Sequence, residues 1–230
     1  MRPDPTILAF DTSAAHCAAA LLCGGTILAE QTTAMKKGQA EALMDMLNTT
    51  LSDAHQSYDM LDAIAVGLGP GNFTGIRISV SAARGLALSL NIPAIGVTQF
   101  EVMAYDDPSD ALLVCLEAPR GQIYAQRFAQ GARIGAPFQL WPEDAAETVQ
   151  VSLDTHVVGA QADVVAAHLG CRSYACRDLT DIPARIARIA ASKAASAGAE
   201  MLARPAPLYV RPPDAAPPRQ AAPTILPDPT

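Results

Sequence analysis

Long apolar runs are missing from this chain, although half of its 230 residues are hydrophobic. No run reaches the length of about 18 residues that a membrane-crossing helix needs, so no membrane contact is expected. Positive charge is scarce: 16 Lys and Arg stand against 23 Asp and Glu, a net charge of −7. A stand-alone nucleic-acid binder needs a basic face to displace phosphate counterions, which disfavours that class and leaves RNA contact through a partner open. Charged residues make up only 17% of the chain, so it can bury a sizeable core and is not a disordered polymer. The five cysteines (Cys17, Cys23, Cys115, Cys171 and Cys176) contain no CxxC pair. Reduced thiols in a cytoplasmic protein are therefore expected. The first residues, MRPDPTILAFDTS, lack the basic stretch and apolar core of a signal peptide. His16, His55, His156 and His168 show neither HxxxH nor HExxH spacing, so no metal site is expected. No GxSxG elbow suggests a nucleophilic serine.

What is present is a repeated alternation of short apolar strands and amphipathic segments. TILAFDTSA, CAAALLC and TILAEQTT read as three strands, the second turn marked by Gly24-Gly25. In GQAEALMDMLNTTLSDA, Leu43, Leu47 and Leu51 recur every four residues, the mark of an amphipathic helix. LDAIAVGLG is a strand, RISVSAARGLALSL a helix closed by Asn91 and Pro93, and PAIGV a further strand. Thr98 and Glu101 form a capping box for a short helix. After DDPSD the pattern restarts with ALLVCLE and QIYAQRF as a hairpin, then THVVGA as a strand and ADVVAAHL as a helix. The helix IPARIARIAASKAASAG takes Pro183 in its first turn and ends near Gly198. The restart predicts two related α/β halves, 1–105 and a reduced 106–203. Half of the 18 prolines fall after Arg204, which predicts an extended tail over 204–230 that wraps a surface or hangs free.

The stretch GLGPGNFTGIR, from Gly67, looks like a phosphate loop and is not one by spacing. A Walker loop needs GxxxxGK[ST], and here only three residues separate Gly71 from Gly75 and no lysine follows. Gly69 to Gly75 reads GxGxxxG, one residue longer than a dinucleotide fingerprint. A helix N-terminus pointing into this turn can still attract an anion. Alternatively, the glycines only permit close helix–strand packing. The helix that follows is rich in small residues (Ser79, Ala82, Ala83), which allow another helix to approach. Internal packing against the Leu43 helix and a subunit interface are both open on pattern alone.

ILAFDTSAAHCAAALL, the stretch from LDAIAVGLGPGNFTGIRISV to IPAIGV, and LEAPRGQIYAQRF together resemble the TsaB (YeaZ) family, bacterial accessory proteins of threonylcarbamoyladenosine synthesis on tRNA. The likeness is dense from Ile7 to about Met103 and looser through Phe128, at VVGA and at PLYVR. It implies an α/β fold of the actin, sugar-kinase and heat-shock ATPase type, with two halves each on a mixed five-stranded sheet. It also implies a non-catalytic scaffold that binds a TsaD-type catalytic subunit and, with it, a TsaE-type ATPase, meets tRNA only through that complex, and pairs with its own copy when the partner is absent. The reaction implied is transfer of a threonylcarbamoyl group to N6 of the adenosine beside the anticodon in tRNAs reading codons that begin with A. No catalytic residue and no cofactor are expected. A vestigial phosphate site would comprise Asp11, Thr12, Ser13, Gly69, Gly71, Thr74 and Gly75. The partner face would comprise Gln39, Leu43, Met46 and Leu47 of one helix, with Ile76, Arg77, Ser79, Val80, Ala82, Ala83 and Leu86 of the next. Glu117 and Pro119 depart from the family's usual aspartate followed by alanine and arginine, and VVGAQAD offers a single glycine, Gly159, for an adenosine. Both departures weigh against the alternative, a self-sufficient ATP-dependent phosphotransferase. Gln39 and Leu43 stand where the catalytic paralogue carries a metal-binding histidine pair, which weighs against a metalloprotease.

Overall fold

The computed structural model describes residues 4–174, 179–197 and 202–211. The first half runs β1 (Thr6–Asp11), β2 (His16–Cys23), β3 (Thr26–Ala34), α1 (Gln39–Asp53), β4 (Ala63–Gly67), α2 (Phe73–Leu90), β5 (Ala94–Val97) and α3 (Gln99–Ala104). The second runs β6 (Ala111–Glu117), β7 (Ile123–Ala129), β8 (Ala132–Leu140), α4 (Ala145–Thr148), β9 (His156–Gly159), α5 (Ala162–Leu169), β10 (Arg172–Tyr174) and α6 (Ile182–Ala197). The first sheet has the order β3-β2-β1-β4-β5 and the second β8-β7-β6-β9-β10. The two orders match strand for strand, an antiparallel meander extended by two parallel strands. This is the two-half architecture of the actin and sugar-kinase fold.

The sequence dictates the layering through its period of two. On β1, Leu8 and Phe10 join α1 and α2 in one apolar cluster, while Ile7 and Ala9 face the other side. A strand buried on both faces reads as a continuous apolar run, as TILAF does. The second face is covered by α6, whose Ile186, Ala187 and Ala190 pack on Ile7, Ala65 and Val97. Reciprocally, Phe100 and Met103 of α3 pack on Leu112, Val114 and Phe128 of the second sheet. Each half thus lends its last helix to the other. The chain division at 105/106 separates the sheets but not the layers: α6, inside 106–203, belongs by packing to the first sheet.

A half-buried ion pair pins this exchange. Lys193 of α6 lies 2.9 Å from Glu101 Oε1 and donates to the Gly96 carbonyl at 2.7 Å. Arg133, at the start of β8, adds a contact of 3.5 Å from the second half. Burial pushes the Glu101 carboxyl upward, but Lys193, the Thr98 amide and Arg133 outweigh it and hold its pKa below the usual value. Burial lowers the Lys193 pKa in spite of Glu101. The capping box of Thr98 and Glu101 is present, and Asn91 ends α2 in the left-handed conformation. Two strands, β8 and β10, carry no clear signal in the sequence. β8 is mostly exposed, and β10 is three exposed residues. The segment 202–211 is extended and wraps the body: the Leu208 amide donates to the Leu68 carbonyl, and Leu208 and Val210 pack beside Phe100. Gly198 and the tail beyond Arg211 lie outside the described residues.

Candidate functional site

Asp11 ends β1 where the hairpin to β2 begins. Ala18 is its register partner on β2, and His16, two residues nearer the turn, reaches it with Nε2 2.7 Å from Asp11 Oδ2. Ser13 donates to the same oxygen from its backbone N–H (3.1 Å) and its hydroxyl (2.9 Å). Asp11 Oδ1 is buried and has no hydrogen-bond partner among the described residues. It lies against Gly67, where a Cβ would come within 1.9 Å of it. Metal-ligand spacing in the sequence does not pair His16 with Asp11. The signal that could have paired it with Asp11 is the hairpin itself, whose turn brings both to one end of adjacent strands.

The glycine loop closes on the same turn. The Asn72 amide donates to the Ser13 carbonyl at 2.6 Å, and the Thr12 hydroxyl donates to the Gly75 carbonyl at 2.7 Å. A Cβ on Gly75 would sit 1.9 Å from the Thr12 carbonyl oxygen, and one on Gly71 would sit 2.3 Å from that of Ser13. No side chain fits between these backbones, so here glycine serves close approach. The Asn72 side chain caps α2 by accepting from the Gly75 amide, which takes up one of the donors that an anion would otherwise meet. Gly69 packs on Ile76, and Thr74 is exposed. In the second half, Glu117 is exposed at the end of β6. A Cβ on Gly159 would meet the Cys115 carbonyl at 2.0 Å, so this glycine too is engaged in packing.

The helices expected to meet a partner divide into two faces. Gln39, Leu43, Met46, Leu47, Ile76, Ser79, Val80 and Ala83 are buried against the first sheet. Their side chains are core, which corrects their place in a partner face. The period that marked them as apolar is the period that turns them inward. Ala82 and Leu86 are half-buried at the edge of that cluster. The outward side of the pair carries Ala40 and Met44 on α1 and Ser81, Gly85 and Leu88 on α2, with Leu88 84% exposed. Among the described residues outside its own turn of helix, nothing lies within 4 Å of a Cβ built on Gly85. Arg77 sits on neither face: its guanidinium stacks on Phe73, 3.7 Å from the ring centroid, and its Nε donates to the Tyr209 hydroxyl at 3.0 Å. Tyr209 is 132 residues away, so no local pattern could have linked the two.

Among the described residues, no three His, Cys, Asp or Glu side chains cluster closely enough to hold a metal ion, and no helix is long and apolar enough to cross a membrane. Cys17, Cys23, Cys115 and Cys171 are free thiols, and Cys176 lies outside the described residues.

The family model described as "TsaD: tRNA N6-adenosine threonylcarbamoyltransferase" matches residues 26–210. The tRNA threonylcarbamoyladenosine biosynthesis protein TsaB of Bacillus subtilis (strain 168) is 39% identical over 121 residues, covering 52% of this chain and 53% of that protein. The chain thus spans about half the length of that relative. An uncharacterized protein of Mycobacterium tuberculosis (strain H37Rv) is 30% identical over 214 residues, 92% of this chain and 94% of its own length. Among solved structures, YeaZ from Pseudomonas aeruginosa superposes with a TM-score of 0.66 at 28% identity, over 85% of this chain and 98% of that one.

Proposed function

We propose, for a chain that belongs to the TsaB (YeaZ) family, a role as the non-catalytic scaffold subunit of the complex that makes threonylcarbamoyladenosine on tRNA. In this reading it binds a TsaD-type catalytic subunit and, with it, a TsaE-type ATPase. The complex transfers a threonylcarbamoyl group to N6 of the adenosine beside the anticodon in tRNAs reading codons that begin with A. The chain meets tRNA through the complex, acts in the cytoplasm, and forms a homodimer when its partner is absent. Residues 1–105 carry the docking helices, and 106–203 form the reduced half.

The observation that carries the non-catalytic part is the filled turn after β1. Ser13 and His16 occupy Oδ2 of Asp11, and the start of α2 lies on the backbones of Thr12 and Ser13. A phosphate arriving there would have to displace protein donors already in hydrogen bonds. Asp11, Thr12, Ser13, Gly69, Gly71 and Gly75 are thus the remains of a phosphate site turned to packing, with Thr74 left exposed at its rim. The unpartnered Oδ1 of Asp11 is the one observation on the side of an ATP-dependent phosphotransferase.

The scaffold role draws support from Gly85. A glycine in the middle of an exposed helix costs about 1 kcal/mol relative to alanine. Among the described residues nothing packs on it. A partner helix approaching closely across the outward face of α1 and α2 would offset that cost. The test is reconstitution from purified subunits with tRNA, threonine, bicarbonate and ATP, read by mass spectrometry of the nucleosides. The modified adenosine should form only when this chain, the TsaD-type subunit and the TsaE-type ATPase are together. Sustained ATP hydrolysis or tRNA modification by this chain alone would overturn the reading.

A further inference from the structure

A cavity of about 400 Å³ lies where the start of α2, the β6–β7 turn and the 208–211 segment meet. Its walls are mostly apolar: Pro70, Ile76, Pro119, Leu208 and Val210, with the rings of Phe73, Tyr124 and Tyr209. Two arginines, Arg77 and Arg211, also line it, and no carboxylate does among the described residues.

Arg77 is exposed but held at two points. Its guanidinium carbon lies 3.7 Å from the Phe73 ring centroid, and its Nε donates to the Tyr209 hydroxyl, so part of its rotamer freedom is already lost before binding. The terminal nitrogens Nη1 and Nη2 have no hydrogen-bond or ion-pair partner among the described residues. An arginine fixed through its Nε keeps one guanidinium edge open, and that edge matches a carboxylate or a phosphate with two parallel bonds. Of the first-turn amides of α2, that of Gly75 is taken by the Asn72 side chain, and those of Phe73 and Thr74, without an acceptor inside the helix, favour negative charge there.

We propose that this cavity binds a small anion: one carboxylate or phosphate, received by Arg77, on an apolar body about the size of a single ring. The reading stands on the isolated chain and does not depend on the tRNA-modifying complex. Tyr209 is the positioning residue that holds the guanidinium edge toward the ligand.

The test uses the full chain with four probes: benzoate, phenyl phosphate, inorganic phosphate and benzyl alcohol. Isothermal titration gives affinity, and the NMR signal of the Arg77 Nε–Hε group reports the site. We expect benzoate or phenyl phosphate to bind saturably, with Kd below about 1 mM, and to shift that signal. Which of the two binds more tightly identifies the anion. Inorganic phosphate lacks the apolar body and benzyl alcohol lacks the charge, so both should bind at least about tenfold more weakly. Arg77→Met and Arg77→Lys should each weaken binding by about tenfold or more. Tyr209→Phe, which keeps the ring and removes only the hydroxyl, should weaken it severalfold with melting unchanged. The proposal is overturned if neither anion saturates, if benzyl alcohol or inorganic phosphate binds as well as phenyl phosphate, or if affinity survives in both Arg77→Met and Tyr209→Phe. If Arg77→Met fails to fold, Tyr209→Phe decides, and unchanged affinity there overturns the proposal.

Discussion

Gly75 stands so close to Thr12 that the smallest side chain has no room: a Cβ would lie 1.9 Å from the Thr12 carbonyl oxygen, while the Thr12 hydroxyl already bonds the Gly75 carbonyl. The obstacle is backbone in the middle of a buried strand–turn–helix joint, which has little freedom to give way. Gly75→Ala should therefore destabilise the fold by about 3 kcal/mol, at the upper end of overpacking costs. Urea denaturation checks it, and a loss under about 0.5 kcal/mol would mean that the joint relaxes freely.

Gly85 is the contrasting glycine. It is helical, exposed and untouched, so Gly85→Ala should stabilise the isolated chain by about 0.5–1 kcal/mol. Gly85→Leu should also fold normally, yet should weaken association with a TsaD-type partner by about tenfold or more through overpacking at the contact. Wild-type affinity for this variant in analytical ultracentrifugation would move the docking face elsewhere. Ala83→Glu is not a test of docking, because Ala83 is buried in the core and the charge would unfold the chain.

Glu101→Gln removes the negative charge facing the half-buried Lys193 ammonium and leaves it neutral acceptors, the Gly96 carbonyl and the new amide oxygen. Neutralising one partner of such a half-buried pair should cost about 1–2 kcal/mol. The Glu101 carboxyl is held below its usual value of 4.5 in the folded chain. Its contribution is thus fully present above the unfolded carboxylate's range and is lost as pH falls through its lower folded value. Melting curves from pH 7 down to pH 3 should show the gap between wild type and Glu101→Gln narrowing with acid. A gap that stays constant would remove Glu101 as the cause.

Burial pushes the Cys115 thiol up to about 12, and burial together with the nearby Asp11 pushes Cys17 to about 11. Both are fully buried, whereas Cys23 and Cys171 are partly accessible. With iodoacetamide at pH 8, native protein should alkylate at Cys23 and Cys171 while Cys17 and Cys115 stay unmodified until urea is added, since the thiolate is the nucleophile. Peptide mass spectrometry reads the order, and early labelling of Cys115 would show that the second sheet opens readily.

The sequence by itself determined the elements whose signal is local. The apolar runs of TILAF and AIAVG, the four-residue recurrence of Leu43, Leu47 and Leu51, the Thr98–Glu101 box and the stop at Asn91 each report a backbone preference within a few residues. The restart after DDPSD revealed the two-half organisation for the same reason. The exposed strands β8 and β10 escaped because they lack a buried face to impose a period. Only the tertiary structure decided which way each apolar face turns. Leu43 and Val80 are core and Gly85 is surface, although all belong to helices that looked available for docking. Only the tertiary structure brought Tyr209 to Arg77 and α6 onto the sheet of the other half. These contacts join residues through sheet register and helix exchange, and their energy comes from burial shared between distant segments. No window of the sequence contains both partners and the surface they remove from water.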